Sequence, residues 1–372
     1  MNEADPAQLA TAVAWSAFAL AFVFGAVGNK TNFCTMGAVS DWVNMGDTSR
    51  MRMWLLAIGV AILGANGLHL AGLVDLSKSI YPGPNFTWLS YIAGGFLFGV
   101  GMTLGSGCGS KTLIRIGAGN LKSLVVFIVV GLVAYMTLRG ILGAFRVEVL
   151  ERAATTLAGG QDLPSLFARG AGGDRRTWMF ALGLAIGGGL IAFAYASKDF
   201  RSNFDFTLGG VVTGLVVVGG WYVSGKIGHV AEDPNTLQEA FVGTNTGRME
   251  AFSFVAPLAF SLEYLMLWTD KTKIITYGIA SAAGVIAGSM AWALATKSFA
   301  WEGFRDAEDT ANHLAGGALM GFGGITALGC TVGQGISGFS TLALGSIITF
   351  AAIIAGAAAT MKWQYWRMSR EG

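Results

Sequence analysis

The chain has 372 residues, of which 53% are hydrophobic and only 12% charged, and its mean hydropathy is +0.57. Those values exclude an ordinary soluble domain and define an integral membrane protein. A net charge of +2 says little about partners and gives no sign of a nucleic-acid surface, and three cysteines cannot build a disulfide framework.

A bilayer-spanning helix needs roughly 17–25 mostly apolar residues. The N-terminal tail carries Glu3 and Asp5 instead of a basic leader, so Leu9–Gly28 reads as a retained span. Further apolar segments follow at Trp54–Leu73, Trp88–Leu104 and Ser123–Leu138. A polar stretch over 146–176, with paired glycines and a predicted helix at Val147–Ala158, is expected outside the membrane. Beyond it come Trp178–Tyr195, Phe206–Val223, Ala251–Trp268, Ile274–Thr296, Leu314–Gly329 and Leu342–Met361. Trp54, Trp88, Trp178, Trp268, Trp363 and Trp366 fall near segment ends, as interfacial belts require.

The C-terminal tail holds Lys362, Arg367 and Arg370 and the N-terminal tail no basic residue. The positive-inside rule then puts the C-terminus in the cytoplasm and the N-terminus outside, which demands an odd number of crossings. At least one of the ten segments must therefore be re-entrant or broken. The expected fold is an all-α polytopic membrane protein. It has about nine transmembrane helices plus short broken or re-entrant ones, internally repeated with pseudo-two-fold symmetry. It reads as a single membrane domain over 1–372: a first half at 9–145, a connection at 146–176 and a second half at 177–362.

The repeat is visible directly. Ile92–Cys108 reads IAGGFLFGVGMTLGSGC and Leu314–Cys330 reads LAGGALMGFGGITALGC, with eight of seventeen positions identical, five of them Gly. Small residues let helices approach closely in lipid. Glycines clustered around Cys108 and Cys330 would also let a helix stop and bend at membrane depth. A helix restarting there points free N–H groups and a positive dipole end at the break, which suits an anion. Cys34, in FCTMGAVSD, has no cysteine counterpart in the second half, and a short helix over Gly37–Asn44 would begin beside it.

A single buried cysteine is usually a small hydrophobe. Two at repeat-equivalent positions argue for a site. GSGCGSKT (105–112) nearly matches a phosphate-binding loop but has Ser110 where Gly is required, and it follows no strand. Zinc is a poor fit, because no C-x-x-C pair exists and His69, His229 and His313 are scattered. No metal or other cofactor is expected. Lys111 and Arg115, one turn apart after Cys108, read equally as an anion lure and as a positive-inside pair.

FCTMGAVSD, GSGCGSKT and GCTVGQG together resemble the YeeE/YedE family of sulfur-transport membrane proteins, over most of the chain from about Ala14 to Met361. The resemblance implies a pseudo-symmetric bundle in a bacterial inner membrane, with short helices pointing at a central constriction. It implies uptake of thiosulfate or a related sulfur-containing anion, passed along by cysteine thiols without covalent change. Matched residue by residue, the thiols are Cys34, Cys108 and Cys330. Their neighbours Gly107, Gly109, Lys111, Gly329, Thr331 and Gln334 complete the candidate path. The family also suggests a cytoplasmic TusA-like sulfur-carrier protein as partner. The stretch over 146–176 is longer than the family usually has there, which opens substrate and partner identity. Alternatives are a membrane-embedded thiol sulfurtransferase or redox protein, and a membrane anchor for the carrier.

Overall fold

The computed structural model describes residues 5–233 and 237–371; Glu3 lies outside them. The chain is predominantly helical. Helix α1 (Pro6–Lys30) is followed by α2 (Thr35–Ser40), which continues as a π-turn to Met45, and by α3 (Ser49–Leu70). Then come α4 (Trp88–Leu104), α5 (Gly109–Gly117), α6 (Leu121–Arg139) and α7 (Ile141–Phe145). The connection carries α8 (Leu163–Ala171), and α9 (Arg175–Tyr195), α10 (Lys198–Ser202) and α11 (Phe204–Tyr222) follow. The remainder is α12 (Ala256–Met266), α13 (Tyr277–Ala295), α14 (Ala307–Thr326), a partly π-helical segment over 331–340, and α15 (Leu344–Glu371). Two antiparallel pairs of two-residue strands tie loops together at Asn85–Phe86 with Thr155–Thr156 and at His229–Val230 with Ala240–Phe241.

Among the described residues, eight helices are long and apolar enough to cross a bilayer. Helix α14 adds a ninth of the same length, packed between α4 and α6, although Glu308, Asp309 and His313 make its first turns polar. The odd count agrees with the ends. The start of α1 shares a groove with Ile274 and Ile275 before α13, whereas Asn29 at its far end donates to Ser289 near the end of α13. Arg367 at the other terminus pairs with Glu308, just beyond that same end of α13. The termini therefore lie on opposite faces. The segment that fails to cross is the one expected at Ala251–Trp268: its helix is only α12, 11 residues long. The polar connection holds less helix than expected at Val147–Ala158, with a π-turn to Leu150, one 3₁₀ turn to Ala153 and a strand.

The glycine repeat explains how the bundle closes. A Cβ on Gly101 would meet the Gly316 carbonyl at 2.7 Å, and one on Gly94 the Gly323 carbonyl at 2.8 Å. The two repeat copies thus pack on one another, antiparallel. Two further matched glycines of each copy face outward. Gly95 and Gly99 lie against α15, where an added Cβ would fall 2.8 Å from the Thr349 carbonyl and 2.2 Å from that of Ile353. Their equivalents Gly317 and Gly321 lie against α6. At all of these positions but Gly317, which faces the Val129 side chain, a Cβ would meet backbone of the neighbouring helix, so most of the shared residues are those that backbone contact requires. One interfacial expectation fails. Trp54 is fully buried and stacks on Phe33 with ring centroids 4.5 Å apart, because α3 is covered by α2, α9 and α11.

Candidate functional site

Each cysteine opens a new helix just after a long one has stopped. The residue two before it adopts a left-handed conformation: Asn32 at φ 50, Ser106 at φ 55 and Leu328 at φ 59. The residue between them closes the old helix. Phe33 N–H donates to the Gly28 carbonyl at 3.1 Å, Gly107 N–H to Met102 at 2.8 Å and Gly329 N–H to Gly324 at 2.7 Å. This is the C-terminal capping pattern in which the left-handed residue is normally Gly. Here none is, so the expectation that the neighbouring glycines supply the bend is corrected. A left-handed non-glycine residue costs roughly 1–2 kcal/mol, and Leu328 is the most expensive of the three because it has no side-chain oxygen to offset it.

The cysteine carbonyls then start the next helices, accepting from Ala38 at 3.0 Å, Thr112 at 2.9 Å and Gln334 at 2.8 Å. All three cysteines are therefore N-caps, a place where Ser, Thr, Asp or Asn stabilises better. Their thiols are free and buried. Cys34 Sγ accepts the Gly37 N–H at 3.4 Å, and Cys108 Sγ lies 3.3 Å from Ser110 Oγ. Cys330 Sγ accepts two backbone N–H groups, from Phe254 at 3.2 Å and Gly333 at 3.4 Å. With its acceptor capacity engaged, that thiol has one polar role left, donation through S–H. Cys108 lies within electrostatic reach of both other thiols.

The glycines serve close approach. A Cβ on Gly109 would fall 2.2 Å from the Phe254 carbonyl and one on Gly333 2.5 Å from Ser253 Oγ. Gly107 and Gly329 are less confined, their nearest atoms being flexible stems of Lys111 and Gln334 at 3.2 Å. What Gly109 and Gly333 admit is the segment 251–255, an irregular, largely buried strand of backbone between the two broken helices. Its polar groups are satisfied by protein, as membrane depth demands: Ser337 Oγ donates to the Phe252 carbonyl at 2.7 Å and the Phe254 N–H goes to Cys330. Phe254 stacks on Phe24 at 5.7 Å, and Phe24 meets Phe33, beside Cys34, edge-on at 6.2 Å. Sequence reading missed this segment, since apolar composition cannot distinguish a helix from buried extended chain. The echo of FCTMGAVS (33–40) in FVAPLAFS (254–261) was the available signal, with Val255 as N-cap where the first copy has Cys34.

The remaining candidates divide. Lys111 Nζ donates to Asn32 Oδ1 at 3.4 Å, joining the break at Cys108 to that at Cys34. Arg115, its partner in the sequence, braces the break itself by donating to the Ser106 carbonyl at 2.7 Å. Gln334 does the same at the second break, its amide N–H donating to the Ala327 carbonyl. The Gln334 Oε1 and the Thr331 Oγ1 are buried without a hydrogen-bond partner. Beside Cys330 lies a cavity of 140 Å³ lined by Arg146, Asn245, Glu250, Ser253 and Gly329. Near α2, on the C-terminal face, a cavity of 570 Å³ is lined by Met36, Ser40, Asn44 and Lys362.

Antiparallel discontinuous helices whose breaks meet inside the bundle are an arrangement found in multi-pass membrane transporters. The chain matches the sulphur transport family over residues 30–359 and belongs to it, the YeeE/YedE family whose cysteine motifs it carries. It is similar to the thiosulfate transporter TsuA of Escherichia coli, at 26% identity over 323 residues covering 84% of each chain. It is also similar to the thiosulfate transporter TsuA of Spirochaeta thermophila, at 25% identity over 365 residues covering 95% of this chain and 99% of that one.

Proposed function

We propose that the protein carries thiosulfate, or a closely related sulfur-containing anion, across a bacterial inner membrane without covalent change and not as an enzyme. The observation that carries this reading is the placement of three free thiols as N-caps of three helices that restart beside one another. Thiosulfate is a dianion with a soft terminal sulfur. Backbone N–H groups at helix starts favour its oxygens, and thiols, as weak donors, meet its sulfur without trapping it. The order along the path is Cys330, Cys108 and Cys34, from the cavity holding Glu250 to the one beside α2. Lys111 draws the anion on between the last two. Gly107, Gly109 and Gly329 keep the backbone close, while Thr331 and Gln334 supply polar atoms next to Cys330. The two halves, 9–145 and 177–362, act as the two walls of the path, joined by 146–176. The face bearing the C-terminus is cytoplasmic, where a TusA-like carrier would meet the arriving anion.

Uptake of labelled thiosulfate into liposomes containing only the purified protein tests this. We expect uptake by the wild type, competition by sulfur-anion analogues, and loss of uptake in Cys108→Ala with the protein still folded. Unimpaired uptake in that variant would sink the thiol relay. A gain of one sulfur atom on a cysteine after thiosulfate exposure, read by intact mass, would instead support a sulfurtransferase.

A further inference from the structure

The cavity beside Cys330 contains a carboxyl group that the thiol relay does not use. Glu250 lies four residues before Phe254, in the connection leading to α12, and lines the cavity together with Arg146, Asn245 and Ser253. Its Oε1 accepts the Asn245 N–H at 3.1 Å. Among the described residues no cation lies within ion-pair distance of it. The one cation lining the cavity, Arg146, is committed to Glu151 at 2.6 Å. Ser253, on the same wall, stands 4.0 Å from Cys330 Sγ. An acidic side chain at the last step before a thiol that receives a dianion is a contradiction if it is ionised, because like charges in a confined, poorly screened site repel strongly.

Resting on the transport reading, we propose that Glu250 is a protonation-controlled selectivity residue of the path. Protonated, it donates a hydrogen bond to an oxygen of the arriving anion; ionised, it turns a dianion away from Cys330. The surroundings fit a group that changes state near neutrality. Burial raises the Glu250 carboxyl to about 7, opposed only by its bond from Asn245. The other charged or titratable groups facing it are Tyr277 of α13, Tyr81 of the α3–α4 connection, Arg146 beyond α7 and, behind Ser253, Cys330. A tyrosine stays neutral and an arginine stays charged through this range. Thiosulfate itself keeps its two charges throughout.

The test is the initial rate of thiosulfate uptake into liposomes of the full-length protein, with the pH on the cavity side varied from about 6 to about 8. One group titrating near 7 predicts a fall of about tenfold across that range in the wild type. Glu250→Gln, which keeps a donor and cannot ionise, should hold the acid-side rate throughout. Uptake that is indifferent to pH in the wild type, or a fall retained in Glu250→Gln, overturns the role of Glu250 and leaves transport standing. No thiosulfate uptake at any pH overturns transport, and this proposal with it. An infrared titration of the wild type keeps the question open to refutation even if the variant does not fold. A protonated carboxyl band that disappears across the same range, and that grows when thiosulfate is added at neutral pH, is expected; a spectrum without it overturns the proposal.

Discussion

The breaks at Cys108 and Cys330 share a backbone and differ in chemistry. Both end a helix on a left-handed non-glycine residue and restart it on a cysteine N-cap. At the first, Arg115 braces the broken end, Ser110 stands beside the sulfur and Lys111 reaches across to Asn32. At the second, Gln334 is the brace, two N–H groups meet the sulfur, and the cavity with Glu250 lies alongside. Duplicated geometry therefore does not mean duplicated function. One copy presents positive side chains, the other neutral donors and a carboxyl, so the two breaks offer two different environments.

Substitutions can separate what is shared from what is not. The largest effect is expected at the close approaches. Gly109→Ala sets a methyl group against a backbone carbonyl and should cost about 3 kcal/mol or more, the upper end for overpacking. Gly333→Ala meets the Oγ and Cβ of Ser253 at 2.5 and 2.9 Å, of which only the Oγ can rotate away, and should cost somewhat less, and Gly107→Ala least. Melting temperature and membrane yield of the three variants give the ranking, and equal losses would remove the distinction between them.

Glu250 comes next, and it belongs to the second break alone. Its folded value, about 7, lies above the ordinary 4.5. Between those values the folded protein holds a proton that the unfolded chain has released. Stability is therefore full below the lower value and falls as pH rises to the upper one. The shift corresponds to ~3 kcal/mol. Glu250→Gln should match the wild type near pH 5 and melt higher above neutrality; a pH-independent difference would mean that the carboxyl is not the cause.

Smaller effects test the braces and the bends. Arg115→Ala and Gln334→Ala each remove a donor from an orphan helix-end carbonyl and should cost about 1–2 kcal/mol. If both variants lose stability alike while uptake suffers in only one, the braces are equal and the chemistry is not. Leu328→Gly relieves a left-handed leucine at the loss of a side chain that is 41% exposed, and should change stability by no more than about 1 kcal/mol. A clear drop in melting temperature would show that Leu328 packs more tightly than its exposure indicates.

Composition alone dictated a membrane protein. Hydropathy located the long helices to within a few residues at most ends, and the paired Gly–Cys runs announced the repeat and two of the three thiols. These features are legible because lipid imposes continuous apolar stretches and because backbone contact admits no side chain, so both constraints are written locally. The tertiary structure decided what is not local. It inverted one copy of the repeat against the other, buried Trp54, and placed extended chain at 251–255 where an apolar stretch suggested helix. It gave the bends to Asn32, Ser106 and Leu328, of which only the asparagine is a usual left-handed residue, and it set Glu250 on one cavity wall with Ser253, which stands beside the thiol of Cys330. Each of those outcomes depends on which surfaces meet across the bundle, and hydropathy measures only whether a segment prefers lipid to water.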